Sequence, residues 1–174
     1  DYNLMGLVNS ASMKKLRLDM LNGKKNPECE NCYKHEDQGI VSSRNSVNRD
    51  YDKYFNDAMS CTNFEDGSLT KFKMRYFDIR FSNICNFKCR TCGPHYSTQW
   101  EQENIKNNVF PAVTIPKNNN KEFLDDVVWQ IRHMDTAYFA GGEPLITEQH
   151  YVLLEEMIKQ KRTDIKLKYN TNLS

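Results

Sequence analysis

The sequence predicts an α/β fold with parallel strands, preceded by a small, mostly helical or irregular region that carries cysteines. Three observations predict it. Residues 77–81, 137–140 and 165–169 read as short strands with helical patterns between them. The order strand, helix, strand, helix, strand favours parallel strands with right-handed crossovers, as an α/β layer or part of a barrel. Cysteines divide along the same line: Cys29 and Cys32 lie upstream, Cys61 stands alone, and Cys85, Cys89 and Cys92 follow the first strand. Two segments result, 1–70 and 71–174.

The elements are justified in order. A helix is expected over 12–22, because Met13, Leu16 and Met20 recur at helical spacing and Gly23 offers a stop. Asn26-Pro27 breaks the chain before Cys29. Residues 33–68 are polar and poorly periodic, with helix expected around 47–59. In the first strand Phe77, Ile79 and Phe81 alternate with Asp78 and Arg80. A helix is expected over 96–106, then a loop marked by Pro111, Pro116 and Asn118-Asn119-Asn120. Residues 123–134 place Leu124, Val127, Val128, Ile131 and Met134 on one helical side. The apolar run 137–140 reads as a buried strand ending at Gly141-Gly142. Over 148–160, Tyr151, Leu154, Met157 and Ile158 carry another amphipathic helix, and Ile165, Leu167 and Tyr169 alternate with lysines in the third strand.

Composition narrows the class. Of 174 residues, 39% are hydrophobic and 27% charged, which supports a core. The net charge is +1 with no long run of one sign, so charge points neither to nucleic acid nor to a membrane surface. No apolar stretch approaches the roughly 20 residues that span a bilayer. Asp1-Tyr2-Asn3 has none of the features of an export signal and is not expected to be the natural start. A three-stranded parallel sheet with a bare edge is an unusual endpoint, so a further C-terminal portion is expected beyond Ser174. Six cysteines, clustered and without an export signal, point to metal rather than disulfides. A reducing, cytoplasmic setting follows.

Cys85-x3-Cys89-x2-Cys92 is a compact loop directly after a strand. Three thiolates on one iron–sulfur cubane leave the fourth iron open, as a substrate-binding centre requires. The loop sits at the strand's carboxyl end, where α/β folds bind ligands. Two other readings compete: buried cysteines at i, i+4 and i+7 on one helix face, or structural zinc completed by His95 or Cys61. Gly141-Gly142-Glu143-Pro144 ends the second strand. Paired glycines allow a ligand close to the backbone, and a carboxylate with exposed carbonyls suits an ammonium group. A plain strand-to-helix turn is the alternative. Adjacent parallel strands would set both features on one rim.

These residues resemble the radical S-adenosylmethionine (SAM) superfamily. Cys85-x3-Cys89-x2-Cys92 is similar to its cluster signature, and Gly141 to Pro144 to the motif that holds the amino group of SAM. Tyr169-Asn170-Thr171-Asn172 resembles the strand end that faces the SAM ribose. Cys92-Gly93-Pro94 with Ser97 and Trp100, and upstream Cys29-x2-Cys32-Tyr33 with Glu36, Gly39, Ser42 and Arg44, resemble the twitch-domain (SPASM-like) branch. The resemblance runs from about Met13 onward. It implies the first half of a partial (β/α)6 barrel, behind an N-terminal twitch-like segment. Two departures stand out: Thr91 occupies a usually aromatic position, leaving adenine stacking to a residue such as Phe87, and Leu173 stands where Gly is common.

The resemblance implies an oxidoreductase-type enzyme that reductively cleaves SAM to a 5′-deoxyadenosyl radical for hydrogen abstraction. Cys85, Cys89 and Cys92 would hold a [4Fe–4S] cluster. Gly141, Gly142, Glu143, Pro144, Phe87, Asn170 and Asn172 would bind SAM. Cys29 and Cys32 would serve an auxiliary iron–sulfur cluster or zinc, with Cys61 and His35 as further ligands. The implied partners are a peptide or protein substrate and a reductant such as flavodoxin or ferredoxin. A half-barrel alone is expected to be a poor catalyst. A zinc-stabilised interaction module and a cluster-binding barrel without turnover are the competing classes. Trp100 and Tyr33 are expected in packing, Lys24-Lys25 and residues 159–162 on solvated faces, and His150 exposed on its helix.

Overall fold

The computed structural model describes residues 3–109 and 121–174, with the side chains of 121–123 left aside. The loop expected around Pro111, Pro116 and 118–120 lies outside the described residues. The chain divides into two compact units, one ending at Phe72 and the other beginning at Lys73.

The first unit is helical. α1 (Leu4–Val8) starts where the Asn3 side chain accepts from the Gly6 N–H at 2.6 Å. α2 (Ala11–Leu21) ends before Gly23, whose φ of 66° makes the left-handed stop that glycine permits. Arg17 on α2 donates to the Val8 and Gly67 carbonyls, joining three segments. A 3₁₀ turn over Pro27–Cys29 leads into α3 (Glu30–Asp37), a helix whose charged sequence hides any apolar stripe. The helix expected around 47–59 is present as two elements, α4 (Ser43–Tyr51) and α5 (Phe55–Ser60). They are separated by a 3₁₀ turn, Asp52–Tyr54, where Tyr51 leaves helical dihedrals and its ring meets Tyr54 at 6.4 Å.

The second unit is α/β. Its strands β1 (Tyr76–Ile79), β2 (Thr136–Phe139) and β3 (Lys166–Tyr169) form a parallel sheet in the order β1-β2-β3. Ala137 pairs with Phe77 on one side and Leu167 on the other, and Phe139 likewise with Ile79 and Tyr169, so the three carboxyl ends are level. α6 (Thr98–Lys106) and α7 (Lys121–Gln130) lie between β1 and β2, and α8 (Glu148–Lys159) lies between β2 and β3. Among the described residues, no helix is long and apolar enough to cross a membrane.

Central β2 is buried along almost its whole length, as a parallel strand covered on both faces must be. Phe77, Ile79, Val127, Ile131, Met134, Ala137, Phe139, Leu153, Met157 and Ile165 form the core. β3 is more exposed than the alternation predicts: Ile165 is buried, whereas Leu167 is exposed at the sheet edge. α8 is rotated by one residue from its expected face. It buries His150, Leu153 and Met157, while Tyr151 and Ile158 face outward. The expectation of an exposed His150 is therefore wrong. Its ring packs edge-on against Phe139 at 4.8 Å and its Nε2 bonds the Tyr169 hydroxyl at 2.9 Å. Arg162 likewise is not a solvated charge. Its guanidinium donates to the Ile131 and Met134 carbonyls and closes the end of the 3₁₀ turn Ile131–His133.

Candidate functional site

The cysteine loop leaves β1 with no helix between residues 81 and 97, which excludes the reading of three cysteines on one helix face. Its main chain is held from α6. Ser97 stands at the N-cap position, yet its hydroxyl makes no cap bond and donates instead to the Phe87 carbonyl at 2.7 Å. Thr98 Oγ1 donates to the Cys85 carbonyl at 3.2 Å, and Trp100 Nε1 to the Cys89 carbonyl at 2.9 Å. Asn83 is buried and its amide donates to the Pro94 carbonyl and to Glu101 on α6. Trp100, expected in packing, thus also anchors the loop. A polar cluster at the start of α6 is the sequence signal for this clamp, and Thr98 and Asn83 were not foreseen in it.

All three cysteines of the loop are free thiols, with Cys85 half-buried and Cys89 and Cys92 exposed. A turn brings Cys92 N–H to the Cys89 carbonyl at 3.0 Å. Among the described residues, no three His, Cys, Asp or Glu side chains already converge as a preformed metal cage. By its chemistry the donor set fits an iron–sulfur cluster: three free thiols stand on one short loop whose main chain is fixed from outside, and three thiolates would leave one corner of a four-iron cluster without a protein ligand.

The Gly141–Pro144 turn abuts this loop at the backbone level. Gly142 N–H donates to the Ser82 carbonyl at 2.9 Å and Glu143 N–H to the Ile84 carbonyl at 2.8 Å. A Cβ at Gly142 would stand 2.0 Å from the Ile84 oxygen, so only glycine admits this approach. Gly141 adopts φ 108°, also restricted to glycine. Among the described residues, no hydrogen bond ends on the Gly141 or Gly142 carbonyl. Pro144 is buried and opens a 3₁₀ turn, Pro144–Ile146, that leads to α8.

Glu143 is buried, and its carboxylate is committed inside the protein. Oε1 accepts from Thr171 Oγ1 at 2.6 Å and from Leu145 N–H at 3.0 Å, and Oε2 accepts from Asn172 N–H at 2.8 Å. The carboxylate therefore ties the end of β3 to the end of β2.

Asn172 is committed as well. Its Nδ2 donates to Asn86 Oδ1 at 3.2 Å and approaches Cys85 Sγ at 3.7 Å, while its Oδ1 accepts from Ser174. Asn170 is different: its N–H continues the ladder to the Phe139 carbonyl at 2.9 Å and the residue is exposed. Phe87 is exposed beside the cysteines, and its N–H points to Cys85 Sγ at 3.4 Å. Behind the rim, burial pushes the His150 pKa down and the Tyr169 pKa up.

In the first unit, Cys29 closes the 3₁₀ turn and Cys32 lies on α3; Cys61 caps α5. Among the described residues these thiols and His35 do not gather into a metal group. On α3, four residues after Cys32, Glu36 accepts from Ser42 Oγ at 2.5 Å and pairs with Arg44. Arg44, assisted by Ser42, holds the Glu36 carboxyl below its ordinary pKa. Ser42 also forms a capping box with Asn45 at the start of α4. Tyr33 sits between Lys25 and Arg44, each 5.2 Å from its ring centroid. No family model, curated protein or solved structure matches this chain.

Proposed function

We propose that this chain is the cluster- and SAM-binding part of a radical SAM enzyme of the twitch-like kind, acting on a peptide or protein. One observation carries the reading. A loop with three free thiols and a Gly-Gly turn whose two carbonyls are unengaged among the described residues leave adjacent parallel strands at the same sheet end, bonded backbone to backbone. Ligands of α/β folds bind at that end.

In this reading Cys85, Cys89 and Cys92 hold a [4Fe–4S] cluster, and the Gly141 and Gly142 carbonyls receive the SAM ammonium. Glu143 acts from beneath, fixing the turn rather than touching the ligand. Phe87 offers an exposed ring for adenine and Asn170 an exposed amide for the ribose. The bound cluster and SAM supply reductive cleavage of the sulfonium C–S bond and a radical that abstracts hydrogen. The protein's own part is to bind, orient and shield. Thiol convergence belongs to the binding step, since metal binding and site formation are coupled. A flavodoxin- or ferredoxin-like reductant would deliver the electron, and Cys29 and Cys32 would serve an auxiliary cluster or zinc.

The test is anaerobic reconstitution with iron and sulfide, followed by EPR of the reduced protein with and without SAM. A [4Fe–4S] signal that SAM perturbs and that Cys89→Ala loses supports the reading. Stoichiometric zinc with no iron signal would replace it with a structural zinc module.

A further inference from the structure

We infer that Asn172 is a positioning residue that gives Cys85 an N–H···S hydrogen bond and thereby raises the reduction potential of the cluster; this rests on the radical SAM reading above. Asn172 Nδ2 lies 3.7 Å from Cys85 Sγ, within reach for a sulfur acceptor. The orientation of the amide is determined by its other partners. Ser174 N–H can only donate, and it meets Asn172 Oδ1 at 3.1 Å. The opposite side of the amide is therefore NH₂, and it faces Cys85 and Asn86 Oδ1. The main chain beneath this amide is held in place, because the buried Glu143 carboxylate accepts the Asn172 N–H at 2.8 Å and the Thr171 hydroxyl at 2.6 Å.

Cys85 also receives the Phe87 N–H at 3.4 Å, so two donors converge on one sulfur. Among the described residues, no donor reaches the Cys89 or Cys92 sulfur, and both are exposed. The three ligands are thus unequal. Hydrogen bonds to ligating sulfurs draw electron density from the thiolate and favour the reduced, more negative cluster. Cys85 is the ligand through which the sheet sets the potential, and the path runs from Glu143 through Asn172.

The experiment is an EPR-monitored redox titration of the reconstituted protein, comparing wild type, Asn172→Ala, Asn172→Asp and the control Asn107→Ala, at the exposed C-terminal cap of α6. Losing one such bond is expected to lower the equilibrium constant for reduction about tenfold, which is 59 mV for one electron. Asn172→Asp, with no donor and an added charge, shifts the midpoint further in the same direction. Asn107→Ala leaves it in place. Unchanged midpoints in both Asn172 variants overturn the inference alone, while the SAM-perturbed wild-type signal keeps the radical SAM reading. A wild type that builds no cluster overturns both. Should neither Asn172 variant hold a cluster, electron–nuclear double resonance of reduced wild type with ¹⁵N-labelled asparagine decides. A coupled asparagine amide supports the bond, and its absence refutes it.

Discussion

A methyl group added at Gly142 meets main chain on every near side: the Ile84 oxygen at 2.0 Å, the Ile84 carbonyl carbon at 2.6 Å and the Asn83 carbonyl carbon at 2.8 Å. None of these atoms belongs to a side chain that can rotate away. Restoring ordinary contact of about 3.5 Å requires the loop or the turn to retreat by about 1.5 Å. That retreat breaks the Gly142–Ser82 and Glu143–Ile84 backbone bonds, now 2.9 and 2.8 Å. Overpacking costs about 1–3 kcal/mol and each lost bond about 1 kcal/mol. Gly142→Ala should therefore destabilise the second unit by about 3–5 kcal/mol, a large share of a typical domain's total. Gly93→Ala is the control, because nothing lies within 4 Å of its Cβ position; it should stay within about 0.5 kcal/mol of wild type. Urea unfolding of the three proteins reads the difference. Because Ile84 precedes Cys85, the alanine at 142 should also cut iron retention after reconstitution. Equal urea midpoints for Gly142→Ala and Gly93→Ala would refute the close approach and the reasoning built on it.

Three further expectations follow from buried or paired groups. Glu143→Gln turns one acceptor oxygen into a donor facing Leu145 N–H, Thr171 O–H or Asn172 N–H; it should cost about 2–3 kcal/mol in urea unfolding and speed amide exchange at Asn172. Burial holds the His150 pKa below its ordinary value of 6.5, so the folded ring stays neutral where the unfolded chain takes up a proton. Stability from this group is present above 6.5 and lost as pH falls towards the folded pKa, a direction that His133 shares. The melting temperature should drop between about pH 7 and 5, less steeply in His150→Phe, and an NMR titration placing His150 at or above 6.5 would contradict this. Glu36 is held low by Arg44 and Ser42, so its stabilising share exists above its unfolded pKa and disappears as pH falls through the folded one. Arg44→Ala should raise the Glu36 carboxyl pKa measured by carbon-detected NMR, and no rise would mean that the pair seen here does not act on it.

The three strands, their parallel direction and the helix before β2 were legible in the sequence because each leaves a local record. Alternation marks β1, a continuous apolar run marks central β2, and a helical stripe through Val127, Ile131 and Met134 marks α7 and its extension. The cysteine loop and the Gly-Gly turn were legible too, since glycines, prolines and clustered thiols act where they stand. The face of α8 was misread because its buried stripe includes a histidine, and periodicity reasoning assigns histidine to water. α3 was missed because Glu30, Lys34, His35 and Asp37 leave no apolar side to detect, while Asn26, Glu36, Ser42 and Arg44 hold its ends through polar bonds.

By itself, then, the sequence determined the α/β class, the parallel strands and where the clustered cysteines and paired glycines stand along the chain, because propensity, periodicity and turn residues are local. Only the tertiary structure decided what those groups do to one another. Glu143 reaches Thr171 and Asn172 28 and 29 residues later, and Asn172 reaches Cys85 87 residues earlier. Those meetings exist because the level parallel register brings three strand ends to one rim. There Glu143 becomes a buried strut and Asn172 a donor to sulfur. No spacing along the chain encodes either role, because each depends on partners that only the folded sheet supplies.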